Sequence, residues 1–174
     1  MTSPSTRVCT VVALFAVSTG CESSPPPEVS AYRESLLVAT EPEGAITIEQ
    51  ARKELTDKNE IVLIGRVGSR DVSEWSMGTT GRFVISEAFP DSHYNLTPDH
   101  DPATCPFCRH KWKVEDSVAF VDCIDESGSP ISLPAGELLP LEKGDTVVIR
   151  GAGALDDSGF LCVRTRELFV RAGL

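Results

Sequence analysis

The chain has 174 residues, a formal net charge of −10 and six cysteines. That length holds one domain and little else. An acidic chain repels phosphate backbones, whose non-specific capture rests on Lys and Arg, so its charge argues against nucleic acid as a partner. The local counterweight is Arg109-His110-Lys111-Trp112-Lys113, a short basic and aromatic patch.

Residues 1–20 read as an export signal. Arg7 precedes a run from Val8 to Val17 that is apolar except for Thr10, and Ser18-Thr19-Gly20 leads into Cys21. The run is too short to span a bilayer, which takes ~20 residues, and small residues precede the cut. A small residue directly before Cys, after such a run, resembles the lipobox of bacterial lipoproteins. Ser18 departs from that pattern, where Leu is usual. The resemblance implies that Cys21 is diacylated on sulfur, becomes the mature N-terminus and anchors the protein to a membrane of the cell envelope. The alternative is an ordinary cleaved signal with Cys21 incidental. Removing Arg7 from 16 basic residues leaves 15 against 26 acidic ones, a formal −11 for the mature chain. Cys9 leaves with the signal, so Cys105, Cys108, Cys123 and Cys162 remain in a compartment that permits disulfides.

Residues 21–44 read as a Pro/Ser-rich tether with a short helical piece around Tyr32–Ala39, since Glu22-Ser23-Ser24-Pro25-Pro26-Pro27-Glu28 cannot pack a core. The domain proper is expected over 45–171. Thr47 to Leu55 reads as a helix: Thr47 caps, Gln50 stands three residues on, and Ile48, Ala51 and Leu55 share a face. From Glu60 the apolar period becomes that of strands. Five are expected, at Ile61–Gly68, Gly81–Glu87, Ser117–Ile124, Asp145–Gly151 and Phe160–Val170, with a helical turn at Pro134–Leu139.

Five strands with one helical segment between the third and fourth is the layout of an OB-fold barrel, an all-β class. Gly65 and Gly68 fit a strongly bent first strand. Residues 60–171 resemble the OB-fold group that includes anticodon-binding-like domains. They also resemble predicted envelope lipoproteins of planctomycete-type bacteria that carry a His-Asp-Pro…Cys-Pro-x-Cys insertion, here His100-Asp101-Pro102-Ala103-Thr104-Cys105-Pro106-Phe107-Cys108. The resemblance supplies a fold and an envelope location and leaves function to the residues.

The insertion, residues 89–115, lies between the second and third strands. It holds all three histidines, His93, His100 and His110, and two cysteines. A long loop inside a compact domain is functional or disordered. Cys-x-x-Cys aims two thiolates at one ion, and neutral imidazoles complete a tetrahedron. The expected ligands are His93, His100, Cys105 and Cys108, with His110 as alternate fourth ligand and Asp91, Asp99 and Asp101 behind the imidazoles. Such a set suits zinc best, and Cu(I) would also accept it. A Cys105–Cys108 disulfide is the bland alternative. Thiol-redox or metal-trafficking work is another, although neither a strand before Cys105 nor a clear amphipathic helix after it gives the thioredoxin context. Covalent c-type haem is excluded, because Arg109 stands where His must follow the second Cys.

Cys123 and Cys162 fall in strands among apolar residues and read as packing residues or as a disulfide between strands. Trp75, in the first inter-strand loop, either stacks on a ligand ring or covers the end of the core; Trp112 carries the same pair of readings. Neither a Gly-x-Ser-x-Gly nor a phosphate loop occurs. The residues therefore point to a non-enzymatic OB-fold binding module in the envelope with a structural zinc site, its partner an unidentified envelope protein or small ligand. Single-stranded nucleic-acid binding, suggested by the fold group alone, is a second alternative.

Overall fold

The computed structural model describes residues 24–55, 60–69, 72–87 and 114–171. In chain order the elements are α1 (Pro27–Leu36), α2 (Ile48–Glu54), β1 (Glu60–Val67), β2 (Ser76–Met77), β3 (Arg82–Glu87), α3 (Val114–Ser117), β4 (Val118–Cys123), α4 (Ala135–Leu138), β5 (Thr146–Leu155) and β6 (Leu161–Arg171). Among the described residues no helix is long and apolar enough to cross a membrane.

Alternation decides which side of each strand is buried. Leu63 and Val67 of β1, Phe83 and Ile85 of β3, Val121 and Cys123 of β4, Val147 and Ile149 of β5, and Leu161, Val163 and Leu168 of β6 converge on one core. β1 pairs antiparallel with both β3 and β5. β3 pairs antiparallel with β4, β4 runs parallel to β6, and β6 returns antiparallel to β5. These pairings close a five-stranded barrel, with β2 added at the edge of β3. The expected OB-fold-like, all-β architecture is what the chain adopts.

Closure needs two close approaches. At Gly65 a Cβ would lie 3.0 Å from both Ile85 Cδ1 and the Ser86 carbonyl, and Gly68, just past β1, turns with φ +88°. The β5–β6 register shifts between Arg150 and Gly151. There the Thr165 hydroxyl, almost wholly buried, lies 2.6 Å from the Arg150 carbonyl and 2.9 Å from that of Glu167. Its single proton can go to one of these carbonyls at a time, and the same oxygen accepts from Glu167 N at 3.1 Å, which ties the hydroxyl into the bulge.

The segment expected as a tether through residue 44 is, from Pro27 on, part of the domain. Val29, Tyr32 and Leu36 lie at i, i+3 and i+7, one stripe of a helix, and Leu36 is 1% exposed. Arg33 Nε donates to the Leu138 carbonyl at 2.8 Å and Nη2 to the Glu137 carbonyl at 3.1 Å, fixing α1 on α4. Beyond α1 the chain follows the barrel wall. Val38 N donates to Leu168 O, and Ile46 bonds both Val62 and Ile64 of β1. Arg171 grips Glu41 with two nitrogens at 2.6 and 3.0 Å.

α2 starts as its sequence implies, with the Thr47 hydroxyl accepting from Gln50 N at 3.2 Å. The Gln50 side chain, however, donates to Glu54 Oε1 at 2.8 Å instead of turning back to the cap. Glu87, the last residue of β3, takes the neighbouring amide of Glu49 at 2.8 Å. The barrel thus has two distinct ends. At one, α4 seals the start of β3 and the end of β4: a Cβ on Gly81 would meet Cys123 Cβ at 2.9 Å and Leu138 Cδ2 at 3.0 Å. At the other, Arg52 of α2 pairs with Asp116 of α3 at 3.1 Å and donates to the Gly159 carbonyl in the β5–β6 turn.

Candidate functional site

Five of the residues expected to hold metal, His93, His100, Cys105, Cys108 and His110, lie outside the described residues, as do Trp112 and Cys21. The structure does describe how the insertion is attached. Glu87 and Asp116, its flanks, both sit at the α2/α3 end of the barrel, clamped through Glu49 and Arg52. Burial raises the Glu87 carboxyl above the usual range, while the amides of Glu49 and Ile48 pull it down. Among the described residues no group of three or more His, Cys, Asp or Glu could hold a metal ion.

Trp75 is half-buried and packs against the core, its ring 6.4 Å from that of Phe83 at an interplanar angle of 81°. This is the edge-to-face arrangement aromatic pairs favour. Of its two readings, covering the end of the core is the one the contact favours.

A surface that local sequence did not reveal lies on the outer wall formed by β3, β4 and β6. Because Phe83, Val121 and Val163 point inward, their neighbours Arg82, Phe120, Asp122, Cys162 and Arg164 face out. Register sets Arg82, Asp122 and Arg164 in one row, and Val84, Phe120 and Cys162 in the next. The Arg82 guanidinium stands 5.1 Å over the Phe120 ring, and Phe160 meets that ring edge-on at 5.4 Å. Arg82 also pairs with Asp122 at 3.6 Å and donates to Cys162 Sγ at 3.5 Å. The result is a half-buried platform of two aromatic rings and a guanidinium, suited to stacking against a flat or apolar group. Alternation alone places Phe120 and Asp122 outside, but only the parallel β4–β6 register brings Phe160 and Cys162 beside them.

A second concavity, an open groove of ≈ 510 Å³, runs between residues 38–43 and the side chains of Arg150 and Glu167. Arg150 Nε lies 3.5 Å from Glu167 Oε2 and makes no hydrogen bond. With Glu41 already committed to Arg171, the groove offers mainly carboxylates and no converging set of donors.

Both described cysteines are free thiols, so no disulfide joins them. Their environments differ. Cys123 faces the core, and burial, with a smaller push from Asp122, raises its thiol to about 12. Cys162 is half-buried; burial raises it too, while the Arg82 guanidinium works the other way. Its proton is therefore retained at neutral pH, which argues against a thiolate nucleophile there. At pH 8, folded protein is expected to be alkylated at Cys162 and spared at Cys123, whose thiolate fraction is lowered on the order of a thousandfold. Mass mapping after iodoacetamide treatment checks this, and equal labelling of the two would contradict it. The sign for stability follows. The folded pKa exceeds the unfolded one, so any contribution of Cys123 is intact below pH 9 and is lost as pH rises toward 12.

No protein-family model matches the chain, and no match is found among curated proteins.

Proposed function

We propose that this protein is an exported, lipid-anchored binding module of the cell envelope, non-enzymatic, in which an OB-fold-like barrel carries a zinc-stapled insertion that shapes the partner surface. The supporting observation is the way the insertion is rooted. It follows β3 after Glu87 and ends in α3 before Asp116, and Glu87 and Asp116 are both clamped onto α2 at the same end of the barrel. A polar loop so rooted has few apolar residues with which to order itself, and an ion held by His93, His100, Cys105 and Cys108 would supply that free energy. His110 is the alternate fourth ligand. The platform of Arg82, Phe120 and Phe160 on the adjoining wall would extend the contact surface, because OB barrels bind on the face of their second and third strands. The formal −11 of the mature chain makes an envelope protein or small ligand the better partner than single-stranded nucleic acid.

On this reading a strong chelator lowers the melting temperature of the mature protein, and Cys105→Ser or Cys108→Ser lowers it equally without chelator. A melting temperature unchanged by chelator and by both substitutions would contradict the reading. Rapid metal exchange, with Cys105 and Cys108 alkylated in native protein, would favour metal trafficking or thiol-redox work in its place.

A further inference from the structure

We infer that the barrel is held with its α1/α4 end toward the lipid surface, so that the insertion and the β5–β6 turn face the aqueous side, away from the bilayer. This deepens the reading above and rests on its lipid anchor at Cys21. Three observations carry it. First, the leash is short. Six residues, Cys21 to Pro26, precede α1, a reach of ~20 Å when fully extended. Its last part is stiff as well: Pro26 is extended at φ −52°, ψ 147°, and Pro27 opens the helix, so this run cannot coil back on itself.

Second, α1 is fixed on one end of the barrel. Arg33 binds the carbonyls of Glu137 and Leu138 on α4, and Leu36 is buried in the core. The leash therefore pulls on a defined end rather than on a free arm. Third, that end is opposite the two roots of the insertion. α4 closes the start of β3 and the end of β4, through Gly81, Cys123 and Leu138. The insertion joins the end of β3 to the start of β4, and those two strand ends lie at the end of the barrel that carries α2, α3 and the β5–β6 turn. Between the two ends stands β3, six residues long, or about 20 Å of strand.

Lys143 is exposed at the anchored end, among carboxylates that outnumber it. The exposed residues of that end include Glu28, Glu34, Glu137 and Glu142, and Arg33 is engaged with α4. Orientation is set by the leash, which makes it sensitive to leash length. A partner that reads the insertion must approach from the aqueous space of the envelope.

The experiment uses the full chain, exported and inserted in vesicles of zwitterionic phospholipid. A photoreactive benzophenone side chain is placed at Ala31 on α1 in one protein and at Ser158 in the β5–β6 turn in another, both exposed positions. Lipid cross-linking several-fold higher from position 31 is expected. Inserting about 20 Gly/Ser residues between Ser24 and Pro25 should erase most of that bias. Mass spectrometry of the N-terminal peptide separates the outcomes. With Cys21 acylated, equal cross-linking from the two positions, or a bias that survives the long leash, overturns the orientation alone. An unacylated Cys21 overturns the lipid-anchor reading and the orientation with it.

Discussion

Gly151→Ala is expected to destabilise the barrel by about 3 kcal/mol or more, a drop of roughly 10 °C in melting temperature for a domain of this size. The residue sits where β5 and β6 slip register, and a Cβ there would run into the backbone carbonyl of Arg164. Val163 Cγ1 closes the remaining space at 3.0 Å. A backbone carbonyl in a paired strand cannot move aside as a side-chain tip can, so the strands must part. That would also displace the Thr165 hydroxyl, which lies against the Arg150 and Glu167 carbonyls across the bulge. Gly159→Ala is the informative comparison. It has open space around it but a φ of +85°, so its cost should be only the left-handed strain of about 1 kcal/mol. Thermal or urea melts of the two variants distinguish them. A Gly151→Ala protein as stable as the parent would mean that β5 and β6 do not close as described.

Leu36→Ala should cost about 2–5 kcal/mol, the range for truncating a buried leucine. The test is pointed because Leu36 belongs to the segment whose Pro, Ser and Glu content reads as tether. It is 1% exposed and packs in the same core as Ile48, Leu63 and Leu168. A residue in a solvated leash would lose nothing on truncation. Glu34→Ala, on the exposed side of the same helix, should stay within about 0.5 kcal/mol of the parent. Chemical denaturation of both variants reads the difference, and equal stability would return residues 27–36 to the tether.

How much of this is legible in sequence depends on where the deciding contact lies. The strands of the barrel carry their own signal as short apolar runs, Phe83-Val84-Ile85 and Val147-Val148-Ile149, all of them buried. The cap of α2 is equally local: Thr47 and Gln50 are three residues apart. α1 was harder to read, since only Val29, Tyr32 and Leu36 mark its buried stripe, and its partners on α4 and β6 lie a hundred or more residues away. β5 runs on to Leu155 past the expected end at Gly151. Gly151, Ala152, Gly153 and Ala154 carry no large apolar side chain to mark a strand, yet β6 pairs with all four. The platform of Arg82, Phe120 and Phe160 exists only through the register of three strands, so no window of sequence contains it. Cys123 and Cys162 read from sequence as residues of strands, and they are, but their unlike exposure follows from which face each register position takes. The His/Cys insertion lies outside the described residues, and its chemistry still rests on the spacing of its donors.

Metal content of the exported mature protein, purified without added metal and paired with a count of free thiols under native conditions, tests the central claim most directly. Close to one equivalent of zinc per chain is expected, with Cys105 and Cys108 reduced yet protected from alkylation, and the metal lost in a His100→Ala or Cys105→Ser variant. Protein that is metal-free with Cys105 and Cys108 joined in a disulfide, or metal-free with both thiols open to reagent, would contradict it.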